Sequence, residues 1–540
     1  MGPNFVSPTP PDVERFTPAK VVRIESSNGA GKRAEPQVLS EAAEVPAAWW
    51  AAFGNPKLNQ LVQASIDHNP NLQAAEGAIK IAYFNAEAQK GAFLPSIIFN
   101  SNDSYNLQSN NQSLASIAQV QNESTFAQAL GASASSNVPM PNKPYALFLK
   151  QLTISYVPDV WGQNFRAVES LEAQTDQQRF QLEAAYLTLT ANVVTAAIQE
   201  ASLRSQLAAV KDVVSIEKEL LSLLQEQLGK GLVSRVDMLT QEAALAQALS
   251  LLPPLEKQLG IQRDLLTALA GRYSTAEISE QFRLEQIHLP RKLPLIIPAR
   301  FVRQRPDIRA AEANMRSASA QIGVAIAARL PSISLTANGG FSALKLAELF
   351  HPGTGFYSLA ASVTQPVFDG FTLLNKQKSA EATFEQAEAQ YRLAVITAFQ
   401  NVSDALRALQ ADSKAVSATR YAEDIASKNL DIIRSQLRLG AVAVIVVLNA
   451  QQTLLTASVN RVQAEANRLA DTAALYMALG GGWEDQNLKR LPPVDDSVSP
   501  TPEETGRISP PVNPSLLPQL PWETLYGWPS SSEAQLHPRN

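Results

Sequence analysis

The sequence contains no cysteine. That removes thiol nucleophiles, disulfides and Cys-based zinc sites. Histidine is scarce as well: His68, His288, His351 and His537 stand far apart in the chain, so no metal or cofactor site is expected. Long hydrophobic runs are missing. The longest aliphatic stretch is Ala441 to Leu448, far short of the ~18 residues that suggest a membrane helix. The first residues, Met1 to Pro11, show neither a charged n-region nor an apolar h-region, so no signal peptide is visible. A formal net charge of -5 leaves no electrostatic footprint for nucleic acid.

What is present is a tandem duplication. Asn69-Pro-Asn-Leu-Gln-Ala-Ala-Glu76, continuing to Phe93-Leu-Pro-Ser-Ile97, matches Arg305-Pro-Asp-Ile-Arg-Ala-Ala-Glu312, continuing to Arg329-Leu-Pro-Ser-Ile333. Pro306 lies 236 residues after Pro70, and Pro331 lies 236 after Pro95. A later block keeps a second offset of 209, which joins Gly231 to Gly440 and Gly271 to Gly480. Two copies are too few for a solenoid.

Each copy carries the same string of elements. A helix of about 20 residues comes first and is broken by Leu-Pro-Ser. Ser332 to Asn338 then alternates apolar and polar residues, the period of a strand with one apolar face. A polar loop follows, Ser101 to Asn142 or Asn338 to Gly355. A second strand returns, Leu152 to Val157 or Tyr357 to Val363, and ends at Pro158-Asp-Val-Trp-Gly162 or Pro366-Val-Phe-Asp-Gly370. Next comes a proline-free helix from about Asn164 to Leu228, with its counterpart in the second copy. Its apolar positions step by four and three, and Glu200 and Glu217 fill two of the steps. That heptad spacing predicts supercoiled partners. At about 1.5 Å per residue the helix spans roughly 100 Å. A glycine turn and a returning helix of some 40 residues close each copy.

Strands of about ten residues suit a tilted crossing of an outer membrane. One chain supplies four of them, too few to close, and an open edge has no place in lipid. Three copies would supply about twelve.

The ordered, duplicated motifs resemble the TolC-like outer-membrane efflux proteins, in the OprM/NodT-type lipoprotein branch. The residues that carry the resemblance are Gly2-Pro-Asn-Phe5, Trp49-Trp50, Phe53, Pro56-Lys-Leu58, Asn69 to Leu72, Leu94-Pro95, Pro158 to Gly162, Arg305 to Glu312 and Pro366 to Gly370. The fold implied is mainly α with a membrane β-barrel: a trimeric, twelve-stranded barrel, four strands per chain, on a long coiled-coil α-helical periplasmic tunnel. The implied function is an outer-membrane exit duct of a tripartite efflux system that passes small molecules and catalyses nothing. Its implied partners are two further copies (a homotrimer), a periplasmic adaptor or membrane fusion protein, an inner-membrane pump of RND type, and outer-membrane lipid. A type I protein secretion duct and a pore-free periplasmic coiled coil are the alternative readings. The polar loop Ser101 to Asn142 is expected on the outside of the cell.

The organisation that follows is an N-terminal extended segment around an equatorial belt (1–48), a first repeat (49–275), a second repeat (276–484) and a Pro-rich C-terminal tail expected to be disordered (485–540). The resemblance puts adaptor docking at the tips Gly231, Leu232, Val233, Ser234 and Gly440, Ala441, Val442, Ala443. Trp161 reads either as part of an interfacial aromatic belt or as a packing anchor at the strand–helix junction. Two departures stand out. The branch carries a lipid-modified cysteine just before Gly-Pro-Asn, where this chain has Met1. Channels of this type also open their second returning helix with a stretch resembling Ile-Val-Asp-Val-Leu-Asp-Ala. Here it reads Val444-Ile-Val-Val-Leu-Asn-Ala450, with Val446 and Asn449 at the aspartate positions. The gate expected from Val442, Val446 and Asn449 is therefore hydrophobic or steric, with weak cation selectivity.

Overall fold

The computed structural model describes residues 1–9, 11–13, 15–18, 23–24, 36–40, 45–107, 144–295, 298–439 and 441–481. The tail 485–540, most of the loop after Asn106, and Gly440 lie outside the described residues.

The first copy begins with α1 (Pro56–His68) and α2 (Pro70–Lys90). Both start with proline, whose missing N–H costs nothing in a first turn. Strands β3 (Ser96–Asn106) and β4 (Tyr145–Tyr156) follow β1 (Arg23–Ile24) and β2 (Gln37–Ser40) in chain order. They lead into α3 (Gln163–Gly229), α4 (Arg235–Ser250) and α5 (Leu252–Leu269). The second copy runs through β5 (Lys292–Pro294), α6 (Pro298–Gln304), α7 (Pro306–Ala327), β6 (Ser332–Ala343), β7 (Gly355–Thr364), α8 (Thr372–Arg438) and α9 (Val444–Ala478). The two long helices, α3 and α8, are each 67 residues, about 100 Å of helix.

Three local features differ from the sequence expectation. The strands are longer: β3 runs through Asn106 and β6 through Ala343, into stretches that read as loop. Gly340 shows why. A Cβ there would come within 2.2 Å of the Lys150 carbonyl, so glycine permits the close pairing of β6 with β4 rather than marking a turn. The first returning helix is split at Leu251, because Pro253 and Pro254 cannot donate to the preceding turn. In the second copy the returning helix is one piece of 35 residues. Third, the residue before α8 is Phe371 at φ +66°, where its repeat mate Gly162, 209 residues earlier, sits at φ +75°. An L side chain in that region costs about 1–2 kcal/mol.

The core lies where the short helices meet the middle of the long ones. Trp49 stacks on Tyr476 with ring centroids 5.5 Å apart. Phe53, Leu58, Phe282 and Phe301 are fully enclosed there. Strand β2 adds Leu39 to this core and pairs in parallel with β5. The repeated motif that opens each short helix has a shared task. Asn69 donates from Nδ2 to the Leu269 carbonyl at 3.0 Å, and Arg305 donates from Nη1 to the Ala478 carbonyl at 2.7 Å. Leu269 and Ala478 are repeat mates, so each copy satisfies the end of its returning helix with the residue that starts its short one. Gly480, at φ +92°, follows α9 and serves as its helix stop.

The two acidic steps in the heptad of α3 are both buried. Glu200 accepts the Phe282 N–H at 3.1 Å and pairs with Arg204 and with Arg263, which also donates to the Ile278 carbonyl at 2.7 Å. Glu217 accepts from the Gln241 side chain. Burial pushes the Glu217 carboxyl above its usual range, against the opposing pull of Gln241 and Arg434. Glu200→Ala would leave Arg263 without its buried partner. Removal of one member of a buried pair costs about 3–5 kcal/mol. The thermal midpoint of the solubilised protein should therefore fall well below that of an exposed control such as Glu226→Ala.

Candidate functional site

Strands β3, β4, β6 and β7 form one antiparallel sheet in chain order. The register assigns each side chain to a face. Ile97 faces Ile154, Phe99 faces Leu152, Ile154 faces Ala337, and Leu335 faces Ala361. This face is apolar and uncovered: Phe99 is 65% exposed, Leu359 78% and Val363 69%. Towards the far end of the strands its character changes, and Lys150 pairs with Asp103 at 2.7 Å.

The opposite face is polar and hydrogen-bonded within itself. Gln151 donates to Asn338 at 2.9 Å and to Thr153 at 3.0 Å. Asn338 donates to Ser358 at 3.3 Å, and the Ser334 and Ser362 hydroxyls meet at 2.7 Å. Apolar residues outside and satisfied polar residues inside form the pattern of a strand between lipid and water. Among the described residues β3 and β7 each pair on one side only, so the sheet has two open edges. Among those residues no helix is long and apolar enough to cross a membrane. Trp161, just past β4, is half-buried and donates from its indole N–H to the Pro331 carbonyl at 2.7 Å, which ties the two strand–helix junctions together.

At the other end of the long helices are the two turns. In the first, Gly231 at φ +70° lets the Leu232 N–H reach back to the Gln227 carbonyl at 2.9 Å. In the second, the Ala441 N–H reaches the Gln436 carbonyl at 2.9 Å, the same bond 209 residues on. Leu232 is 71% exposed, and Ser234, Ala441 and Ala443 are exposed, while Val233 and Val442 are half-buried. Val446 and Asn449 lie three residues apart on one exposed stripe of α9, so the structure brings these two expected gate residues together. Val444, Val447 and Ala450 form the buried stripe of the same helix.

The acid at the first-copy counterpart of Val446 has a structural role that spacing alone did not reveal. Asp237 and Ser234 form a capping box: the Ser234 hydroxyl accepts the Asp237 N–H at 3.2 Å, and the Asp237 carboxylate accepts the Ser234 N–H at 3.1 Å. The Ser234 hydroxyl first, donating to the carboxylate at 2.7 Å, and then the Ser234 N–H hold the Asp237 carboxyl below its usual range. In α9 both halves are absent, with Ala443 at the cap and Val446 at the third helical position.

A half-open cleft of about 430 Å³ lies between α3, α7, α8 and α9, with Arg305, Asp307, Asp404 and Asp471 on its wall. Beside it, Asp412 of α8 shares a hydrogen bond with Asp471. Burial first, then that bond and the Asp471 charge, raise the Asp412 carboxyl to about 7, while Arg468 acts the other way. Sequence reading missed this pair because the two residues lie 59 positions apart on different helices. The fold favours the protonated form, whereas an unfolded Asp ionises near about 4. Folding stability should therefore fall as pH rises from about 4 to about 7 and level off above that. Asp412→Asn should flatten this part of a plot of thermal midpoint against pH. An unchanged slope would assign the titration to another group.

Comparison with known proteins agrees with this geometry. The family described as outer membrane efflux protein matches residues 61–272 and 298–481. The chain is 28% identical over 443 residues to the pyoverdine export outer membrane protein OpmQ of Pseudomonas putida, covering 81% of this chain and 88% of that protein. It is 24% identical over 488 residues to nodulation protein T of Rhizobium leguminosarum bv. trifolii, covering 89% and 94%. Among solved structures, the open state of the MtrE outer membrane channel of Neisseria gonorrhoeae superposes with a TM-score of 0.72 at 23% identity, over 89% of this chain and 98% of that one. With the family matching most of its length, the chain belongs to the outer membrane efflux proteins, an outer-membrane family of TolC-like, mainly helical channels with a barrel.

Proposed function

We propose that three copies of this chain close around a common axis into a twelve-stranded barrel above a helical duct, the exit duct of a tripartite efflux system. The observation that carries this reading is the sheet with one uncovered apolar face, one hydrogen-bonded polar face and two open edges. An apolar face of this size belongs in lipid, and an edge in lipid must be paired. The repeats 49–275 and 276–484 each contribute two strands and one long helix. The segment 1–48 joins the belt of the short helices, and 485–540 is an added tail. Small molecules are the cargo class, in keeping with the pyoverdine exporter among the relatives. The duct itself has no catalytic role.

In this reading the long helices cross the periplasm and the two turns form its tips. Exposed Leu232 and the small side chains Ser234, Ala441 and Ala443 let the helical hairpin of a periplasmic adaptor approach closely, with an RND-type inner-membrane pump beyond it. Val442, Val446 and Asn449 from three chains narrow the entrance. Three valines close by apolar contact and dewetting, and three asparagines offer only neutral dipoles, so the gate neither concentrates nor holds multivalent cations.

Single-channel recording in planar bilayers tests the gate. The unmodified channel should pass current undiminished with a trivalent cation on the periplasmic side. Val446→Asp with Asn449→Asp should create block, cutting the current about ten-fold by installing carboxylate rings. An acid at position 446 also suits the third residue of a helix, so the variant should fold. Strong block of the unmodified channel would contradict the hydrophobic gate.

A further inference from the structure

The two returning helices are repeat mates that are held in different ways. A shift of 209 carries α4, residues 235–250, onto residues 444–459 of α9. Over that stretch α9 buries Val444, Val447, Ala450, Gln451, Leu455 and Ala457, whereas the described residues buried in α4 are Gln241 and Ala248. Ala248 lies towards the far end of α4, in an apolar cluster with Val210 and Val214 of α3 and Leu455 of α9. Nearer the tip, Gln241 is the buried anchor. Its side chain is fully enclosed and donates to the Glu217 carbonyl at 3.1 Å and to the Glu217 carboxylate. Its own oxygen, Oε1, is enclosed without a hydrogen-bond partner in the chain. In the second hairpin the same two places hold Ala426 and Ala450, 6% and 4% exposed. A polar pair stands where the other copy packs small apolar residues.

Both ends of α4 can turn. At one end is the Gly231 turn, at φ +70°. At the other, Pro253 and Pro254 offer no N–H to the carbonyls of Leu249 and Ser250 one turn earlier, so two backbone bonds are missing there. The matching residues of α9 are Val462 and Gln463, inside an unbroken helix. Between its ends α4 is self-sufficient, because the Ser234–Asp237 capping box starts it from within. Helix α9 has no side-chain cap at Ala443 and depends on its buried stripe. A latch made of hydrogen bonds also releases easily. When Gln241 leaves, it and Glu217 both bond to water instead, so the net loss is small. An apolar stripe pulled apart loses its burial outright.

We infer that α4 is a hinged flap at the tip of the duct, turning about Gly231 and Leu251 and latched by Gln241 on Glu217, while α8 and α9 stay fixed. The valines of α9 narrow the entrance, and α4 supplies the movement beside them. What the movement does rests on the duct reading above; the hinge and the latch rest on the single chain. Gln241 and the two prolines thereby acquire a part in opening that lies outside both the docking tips and the gate residues.

Amide exchange on the full-length protein, extracted in mild detergent, and single-channel recording in planar bilayers test the flap together. Amides from Val236 to Ala248 should exchange at least about ten-fold faster than the matching ones from Ile445 to Ala457. Gln241→Ala removes one hydrogen-bonded anchor, so it should speed α4 exchange and lengthen the open times about five-fold, with α9 unchanged. Pro253→Val with Pro254→Gln copies the unbroken helix of the second repeat. It should slow α4 exchange towards the α9 rate and shorten the open times; where it does not assemble, Gln241→Ala decides alone. Unmodified α4 amides as slow as those of α9 would overturn the flap. So would Gln241→Ala that leaves α4 exchange or the open times unchanged. A protein that conducts no current would contradict the duct reading, and the exchange ratio would then still decide the hinge and the latch.

Discussion

Everything in this structure depends on the need to pair backbone N–H and C=O groups where no water can reach them. The sheet β3-β4-β6-β7 exposes one apolar face, which in water would be a large unfavourable surface. Lipid resolves that difficulty and creates another, because the outer edges of β3 and β7 would then be stranded among acyl chains. Closure with further copies of the same sheet satisfies both conditions. The long helices follow from closure: once strands from several chains form a ring, the helices that continue from them must line up below it, and a heptad seam is what two such neighbours need.

The duplication allows a small number of devices to be reused with different chemistry. Asn69 and Arg305 perform the same task at the ends of α5 and α9, one with an amide and one with a guanidinium that is also held by Asp307 at 2.6 Å. Gly162 and Phe371 share a left-handed backbone that only the glycine adopts without strain. Ser234 and Asp237 cap α4, whereas Ala443 and Val446 leave α9 without side-chain capping. Two of these differences lie at the strand–helix junctions and at the tips.

Much of the architecture was legible in the sequence because its periods are long and its punctuation is strong. Heptad spacing over 67-residue helices, paired Leu-Pro-Ser breaks and strict alternation in Ser332 to Asn338 left little room for other elements. The strand ends were less clear, since Gly339 and Gly340 look like a turn until the strand beside them is seen. The break at Leu251 was readable from Pro253 and Pro254, but the unbroken second copy masked it. Glu200 stands at an apolar step of the heptad, where spacing alone names no partner for an acid. Its burial depends on Arg263, 63 residues away, a pairing that no local pattern encodes. Val446 and Asn449 were singled out by the motif that the family resemblance supplies, whereas the role of Asp237 as a helix cap required the coordinates.

The central claim is that the open edges of this sheet are closed by identical neighbours, and amide hydrogen exchange on the detergent-extracted, assembled protein tests it most directly. The account predicts that amides along β3 and β7 are as strongly protected as those of the inner strands β4 and β6, because all four are fully paired in a closed ring. Fast exchange confined to every second amide of β3 and β7, with β4 and β6 protected, would mean that the edges stay open and would contradict it.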